Sequence, residues 1–336
     1  MGLGFGLLSA QLRPGETDWR RAYADTIDLA VDAERLGFDS IWTTEHHFVD
    51  DGYMPSLLVV SGALAAVTSR VEIGTGVVLA PLHHPLRLAE DAATAQLLSG
   101  GRLTLGLGLG WNPIEYEGFG ADLHRRGKAM EEILTILPRA WSGQPFRHQG
   151  EVYEFPELGV RPAPHERIPI LIGGGAEPAI RRAGRLADGL FSNADGSGFI
   201  DQVRWATDEL ERVGRDVGSF RFVHYSILVP SSSTDRGWSD HGDHLSHLSW
   251  KYSDMEASAT RPGSPPAAPA FAGERSSLSR STLVGTSGHI VDELNRLREN
   301  AGVPVDFVAR SFLPTLSSDL QAELMGRLAT EVAPHV

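Results

Sequence analysis

The 336-residue sequence has no cysteine, which removes disulfides, thiolate nucleophiles and thiolate-ligated zinc together. No apolar run is long enough to span a bilayer, because glycine and polar residues interrupt the longest stretches. Positive charge is in deficit. Thirty Lys and Arg against 43 Asp and Glu leave a net charge of −13, which repels nucleic acid and anionic membranes and favours a small or neutral substrate. Met1 to Leu8 carries no basic residue ahead of its apolar stretch, so it reads as a first strand, not a secretory signal, and a cytoplasmic location is expected. What remains, 41% hydrophobic and 22% charged, is an ordinary globular composition, and the length admits one large α/β barrel or two medium domains.

Strand and helix signals alternate along most of the chain. Candidate strands are 3–8, 39–44, 71–79, 103–109, 169–172, 189–192, 220–229 and 305–310. Helical patterns separate them, as in 19–36, where Tyr23, Ile27, Ala30 and Val31 recur at three- and four-residue steps. Further helices are read over 56–68, 86–98, 126–141, 177–186, 199–213 and 320–332, with a hairpin near Gln149-Gly150. Eight strand–helix units in this length argue for a single (β/α)8 TIM barrel over 1–336, in preference to an open sheet. The stretch 230–281 breaks the rhythm, being rich in Ser, Pro, Gly and Asp. Its Trp238, Trp250, Tyr252, Phe271, His241, His244 and His247 argue against a plain linker. A partly ordered flap inserted at the C-terminal mouth is expected.

The chemistry concentrates where the second strand ends, in Trp42-Thr-Thr-Glu45-His46-His47-Phe48. Polar residues crowded at the carboxyl end of a buried strand are costly unless they meet water, a ligand or each other. Three readings follow: imidazoles that cap loops, a metal site shared with His83-His84, or a histidine that hydrogen-bonds or protonates a bound organic molecule. Adjacent strand residues face opposite ways, so at most one of each histidine pair enters the barrel, which weakens the metal reading.

Glycine marks three further places. Gly74-Thr75-Gly76 interrupts the third strand and suggests a bulge or close ligand approach, with Thr75 read first as a satisfied core hydroxyl. Gly106, Gly108 and Gly110 dilute the fourth strand, as if something flat lies against it, with Trp111 and Asn112 supplying an aromatic wall and an amide at the rim. Gly173-Gly174-Gly175 sits between a strand and a helix beginning near Glu177-Pro178. That is either a phosphate cradle or a tight βα turn.

Taken in order, Leu36 to Phe48, Ser69 to Leu79, His84 to Glu90, Leu97 to Leu103, Gly106-x-Gly-x-Gly-Trp-Asn112 and Ile172-Gly-Gly-Gly175 resemble the bacterial luciferase-like flavin-dependent oxidoreductases. The resemblance runs from residue 1 to about 195 and again from Gly285-Thr286 to the end, leaving 230–281 outside it. It implies a barrel that binds reduced FMN, or the deazaflavin coenzyme F420, at its C-terminal mouth. His46 matches the family's active-site histidine, Gly76-Val77 the site of a non-proline cis peptide under the isoalloxazine, and Gly173 to Gly175 the phosphate turn. Glu45, Thr75, Gly108, Trp111 and Asn112 complete the candidate cofactor contacts.

Two departures are visible. Luciferase carries a cysteine and then a phosphate-reaching arginine where this chain has Gly108 and Leu109. The Gly-x-Gly-x-Gly-Trp form resembles deazaflavin enzymes, whereas Glu45 to Phe48 resembles FMN users. The expected activity is a monooxygenase that receives reduced FMN from a separate flavin reductase and uses O2 on a small organic substrate. Phe48, Trp111 and the insertion's aromatics suggest that this substrate is apolar or aromatic. The resemblance also implies a homodimer through the helices at 56–68 and 86–98. The alternatives are F420-dependent hydride transfer, a non-catalytic flavin-binding subunit of a heterodimer, and, more distantly, a metal-dependent hydrolase on the same barrel.

Overall fold

The computed structural model describes residues 2–260 and 282–336. Its core is a closed parallel barrel of eight staves: β1 (Leu3–Leu8), β2 (Ser40–Thr43), β3 (Glu72–Thr75) continued by β4 (Val78–Leu79), β5 (Leu103–Gly108), β8 (Ile170–Gly173), β9 (Gly189–Ser192), β10 (Arg221–Pro230) and β12 (Val305–Arg310). The pairings of β10 with both β9 and β12, and of β12 with β1, close the ring. Outside it, β6 (Phe146–Gln149) and β7 (Glu154–Leu158) form the hairpin, and β11 (Thr282–Gly285) adds to the end of β10. The TIM barrel expected from the alternation is therefore present.

Helices α1 (Trp19–Leu36), α2 (Leu57–Val67), α3 (Pro85–Ser99), α5 (Arg126–Trp141), α6 (Glu177–Leu186) and α7 (Gly196–Arg212) wrap the outside, with Ser287–Ala301 and Ser318–Arg327 completing the ring. Helix α1 stops where Gly37 takes a left-handed φ of 92°, which closes two carbonyls of its last turn. The main apolar core lies between the strands and these helices. Among the described residues no helix is long and apolar enough to cross a membrane.

Inside the barrel, Trp42 stacks on Phe191 with centroids 4.5 Å apart, and Phe191 on Tyr225 at 4.6 Å. Leu7, Leu171, Val223 and Val308 fill the space around them. The indole of Trp42 needs glycine opposite it, because a Cβ on Gly74 would stand 2.3 Å from its ring. The third strand is not continuous. Between the pairs Gly74↔Thr104 and Val78↔Leu107 it takes up one extra residue, a bulge that contains the cis Gly76-Val77 peptide.

The segment 230–281 contains more regular structure than its composition suggests. Its first part is the helix α8 (Thr234–Thr260). Phe271 and the proline-rich part lie outside the described residues. Lys251 pins α8 to the loop after β2, with Nζ 2.5 Å from Asp50 and 3.4 Å from Asp51. At the same place the Tyr252 and Tyr53 hydroxyls are hydrogen-bonded at 3.1 Å.

Candidate active site

Strand β2 delivers Thr44, Glu45, His46 and His47 to the C-terminal mouth, and all four are buried. The alternation of side chains separates the two histidines. His46 lines a cavity of about 420 Å³, while His47 turns away and packs edge-on against Phe119 at 4.7 Å.

His46 is held from two sides. Its Nδ1 donates to Glu115 Oε1 at 3.0 Å, and the His47 backbone N–H donates to the same oxygen at 2.9 Å. Glu115 is fully buried and its other oxygen, Oε2, has no partner among the described residues. Around the imidazole stand Tyr53, Tyr252 and Trp111, with centroids at 4.8, 5.6 and 6.0 Å. With Nδ1 engaged, Nε2 is the ring nitrogen left to meet a bound molecule. Burial pushes the Tyr53 hydroxyl well above its usual pKa, with Tyr252 adding to the rise. Tyr53 therefore stays neutral near pH 7, and it and Tyr252 act as walls.

Glu45 lines the same cavity, but its carboxylate is committed elsewhere. Oε2 accepts the Leu79 N–H at 2.6 Å, which ties the end of β2 to β4. Oε1 lies 3.3 Å from His47 Nε2 and 3.7 Å from His83 Nε2. Neither contact is a hydrogen bond, the first falling short in angle and the second in distance, and both nitrogens lack a hydrogen-bond partner among the described residues. Burial raises the Glu45 pKa, yet the two imidazoles outweigh it and the net shift is downward. Glu45 thus serves as an anion that organises the mouth. Among the described residues no three His, Asp or Glu side chains are disposed to hold a metal ion.

Gly76, Val77, Gly108, Trp111, Gly173, Gly174 and Gly175 all line the His46 cavity. Sequence reasoning reserved the strand glycines for a flat ligand, and the structure explains them from within the chain. A Cβ on Gly106 would stand 2.0 Å from the Thr75 carbonyl oxygen, and one on Gly108 would stand 2.4 Å from Val77 Cγ2. Thr75 and Asn112 are not among the lining residues. The Thr75 hydroxyl donates to the Gly106 carbonyl and accepts the Gly106 N–H, both at 2.9 Å. Asn112 caps helix α4 (Pro113–Phe119) by accepting the Ile114 N–H. Phe48 also lies away from the cavity, 60% exposed and against Phe119.

Glu115 is the residue that sequence reasoning missed. Asn112-Pro113-Ile114-Glu115 is a helix start signal, an N-cap followed by proline and then an acid in the first turn. The acid turns away from its own helix end and bonds His46.

A model of the luciferase-like monooxygenase family matches residues 4–304. The chain belongs to that family. It is 35% identical over 147 residues to the oxygenase component of a flavin-dependent trigonelline monooxygenase from Acinetobacter baylyi, a match covering 43% of this chain and 41% of that one. It is 31% identical over 221 residues to an F420-dependent glucose-6-phosphate dehydrogenase from Microbacterium testaceum, covering 63% of each. The chain therefore spans less than two thirds of the length of either relative. The crystal structure of monooxygenase RslO1 from Streptomyces bottropensis superposes with a TM-score of 0.84 at 22% identity, over 100% of this chain and 99% of that one. This likeness shows the fold.

In this member of the family the glycine turn is built from backbone alone. Ala176 is the N-cap of helix α6 and offers no capping side chain; Pro178 has no N–H and the Ala179 N–H bonds the Ala176 carbonyl at 2.9 Å, so it is the backbone of Gly173 to Ala176 that the turn brings to the cavity. Among the described residues, no arginine or lysine lines the cavity.

Proposed function

We propose that this chain is the oxygenase of a two-component flavin monooxygenase. It would take reduced FMN from a separate flavin reductase and use O2 to oxidise a small organic substrate. The observation that carries the reading is His46, oriented by a buried acid and aimed into a cavity that ends in an uncapped helix.

The residues present fit FMN. Gly173 to Ala176 would hold the phosphate through their backbone N–H groups, with the dipole of α6 behind them. The Gly76-Val77 bulge and Gly108 would lie along the ring system. Bound in reduced form, the flavin supplies two electrons to dioxygen. Glu115 fixes the His46 tautomer with the proton on Nδ1, so Nε2 can accept a proton and return it. Tyr53, Tyr252 and Trp111 would shield that nitrogen from water, and α8 supplies one of those walls.

The absence of lysine and arginine from the described lining of the cavity favours FMN over coenzyme F420, whose phosphodiester and glutamate tail call for cationic side chains. The F420 reading keeps the support of the Gly106-x-Gly-x-Gly-Trp111 pattern and of the Microbacterium relative. A non-catalytic subunit has no need of the His46–Glu115 pair. A homodimer is part of the proposal, since Val59, Val67 and Leu98 stand 75%, 45% and 60% exposed on α2 and α3.

The test is anaerobic titration of the protein with reduced FMN and with reduced F420, followed by air. Binding of FMN and uptake of oxygen are expected. Selective binding of F420 with no oxygen uptake would overturn the reading.

A further inference from the structure

Two arginines point into the barrel, one at each end, and among the described residues only one of them has an acidic partner. At the N-terminal end, Arg221 lies 3.2 Å from Glu72 and 3.0 Å from Asp306. At the C-terminal mouth, Arg310 is the last residue of β12 and pairs in register with Gly6. Side chains alternate along a strand, so Arg310 faces the same way as Val308, which belongs to the barrel's inner cluster. Among the described residues no Asp or Glu forms an ion pair with it. One guanidinium N–H donates to the Tyr252 hydroxyl at 2.9 Å, and the head lies 5.2 Å from the Tyr252 ring centroid.

Arg310 lines a second cavity of about 520 Å³, together with Trp111, Ile227, Leu248, Tyr252 and the exposed Glu256. Trp111 and Tyr252 are shared with the His46 cavity and form the partition between the two. A molecule seated on Arg310 would therefore pass between these rings toward His46. A partly buried cation without an anion is expensive unless one arrives. In a chain with a net charge of −13, an arginine at the mouth with no acidic partner among the described residues is also the exception.

We propose that Arg310 is the substrate's anion anchor. The substrate of this oxygenase carries a carboxylate, which takes the open edge of the guanidinium, while Trp111 and Tyr252 flank its apolar body. A planar, fixed fork of donors suits a carboxylate in particular. The inference rests on the oxygenase reading only in making the bound acid a substrate.

The test is calorimetric binding of three acids (benzoate, phenylacetate and hexanoate), each against its neutral amide, to wild type and to Arg310→Gln and Arg310→Lys. Reduced FMN binding is measured on the same three proteins. At least one acid is expected to bind wild type roughly ten- to a hundredfold more tightly than its amide. Arg310→Gln should abolish that preference without changing amide or FMN affinity, and Arg310→Lys should keep part of it. If no acid exceeds its amide on wild type, the proposal falls, and this arm does not depend on any variant folding. Unchanged acid binding in Arg310→Gln also overturns it, as does a loss confined to reduced FMN, which would make Arg310 a flavin contact. Arg310-dependent acid binding by a protein that binds no FMN would uphold the anchor and overturn the oxygenase reading instead.

Discussion

Replacing Gly108 by alanine drives a methyl group into Val77, and the structure says by how much. The Val77 side chain lies in a notch between two glycines. A Cβ on Gly108 would stand 2.4 Å from Val77 Cγ2, and one on Gly173 would stand 2.7 Å from Val77 Cγ1. Apolar carbons rest at about 3.5–4.0 Å, so either alanine requires a shift of roughly 1 Å. Overpacking of that size costs about 1–3 kcal/mol, offset by about 0.4–1 kcal/mol from a stiffer unfolded chain.

Truncating Val77 to alanine removes both offending methyls. The nearest remaining carbon, Val77 Cβ, is 3.5 Å from the Gly108 Cβ position, an ordinary contact. Gly108→Ala should therefore destabilise wild type by about 1–2 kcal/mol and be close to neutral on a Val77→Ala background. The coupling energy is about 1–2 kcal/mol in favour of the double variant. Urea unfolding of the four proteins measures it. Single effects that add to within about 0.5 kcal/mol would refute the packing argument. If Gly108 were instead reserved for a ligand, alanine there would leave stability untouched and weaken reduced FMN binding whatever residue stands at 77.

His46→Ala should lower turnover by roughly 10²–10⁴-fold with little change in Tm, and Glu115→Gln should lower it less by loosening the His46 tautomer; equal loss of Tm and turnover would show a structural role. Acid stability should depend on His224, whose pKa burial pushes down from 6.5 to about 4 against the pull of its bond to the Ala194 carbonyl. The folded protein keeps this imidazole neutral while the unfolded chain protonates it. The stability it contributes is thus present above pH 6.5 and lost progressively down to about pH 4, a change of about 3 kcal/mol. His224→Gln should flatten that part of the curve, and parallel curves for the two proteins would refute the assignment. Leu98→Asp combined with Val59→Asp should convert a dimer to a monomer in sedimentation, and an unchanged mass would rule out that face.

The barrel was legible because its causes are local. Branched, alternating runs such as Val305 to Arg310 and three-to-four-residue apolar steps such as Tyr23 to Val31 are written in consecutive residues. His46 was legible for a similar reason, since polar side chains crowded at the end of a buried strand have to be doing something. Glu115 was not, because its partner lies 69 positions away and no local pattern says which way a first-turn acid will turn. Helix α8 sits between these cases. Leu245, Leu248 and Met255 are buried at helical spacing, but Ser, Asp and His dilute the stripe, and tertiary contacts supply what periodicity does not: Lys251 on Asp50 and His244 on Thr315. The glycines show the limit of such reading most clearly. A missing side chain records that a space is taken, and only the coordinates tell whether the occupant is a ligand or, as at Gly74 and Gly108, a neighbouring Trp42 or Val77 of the same chain.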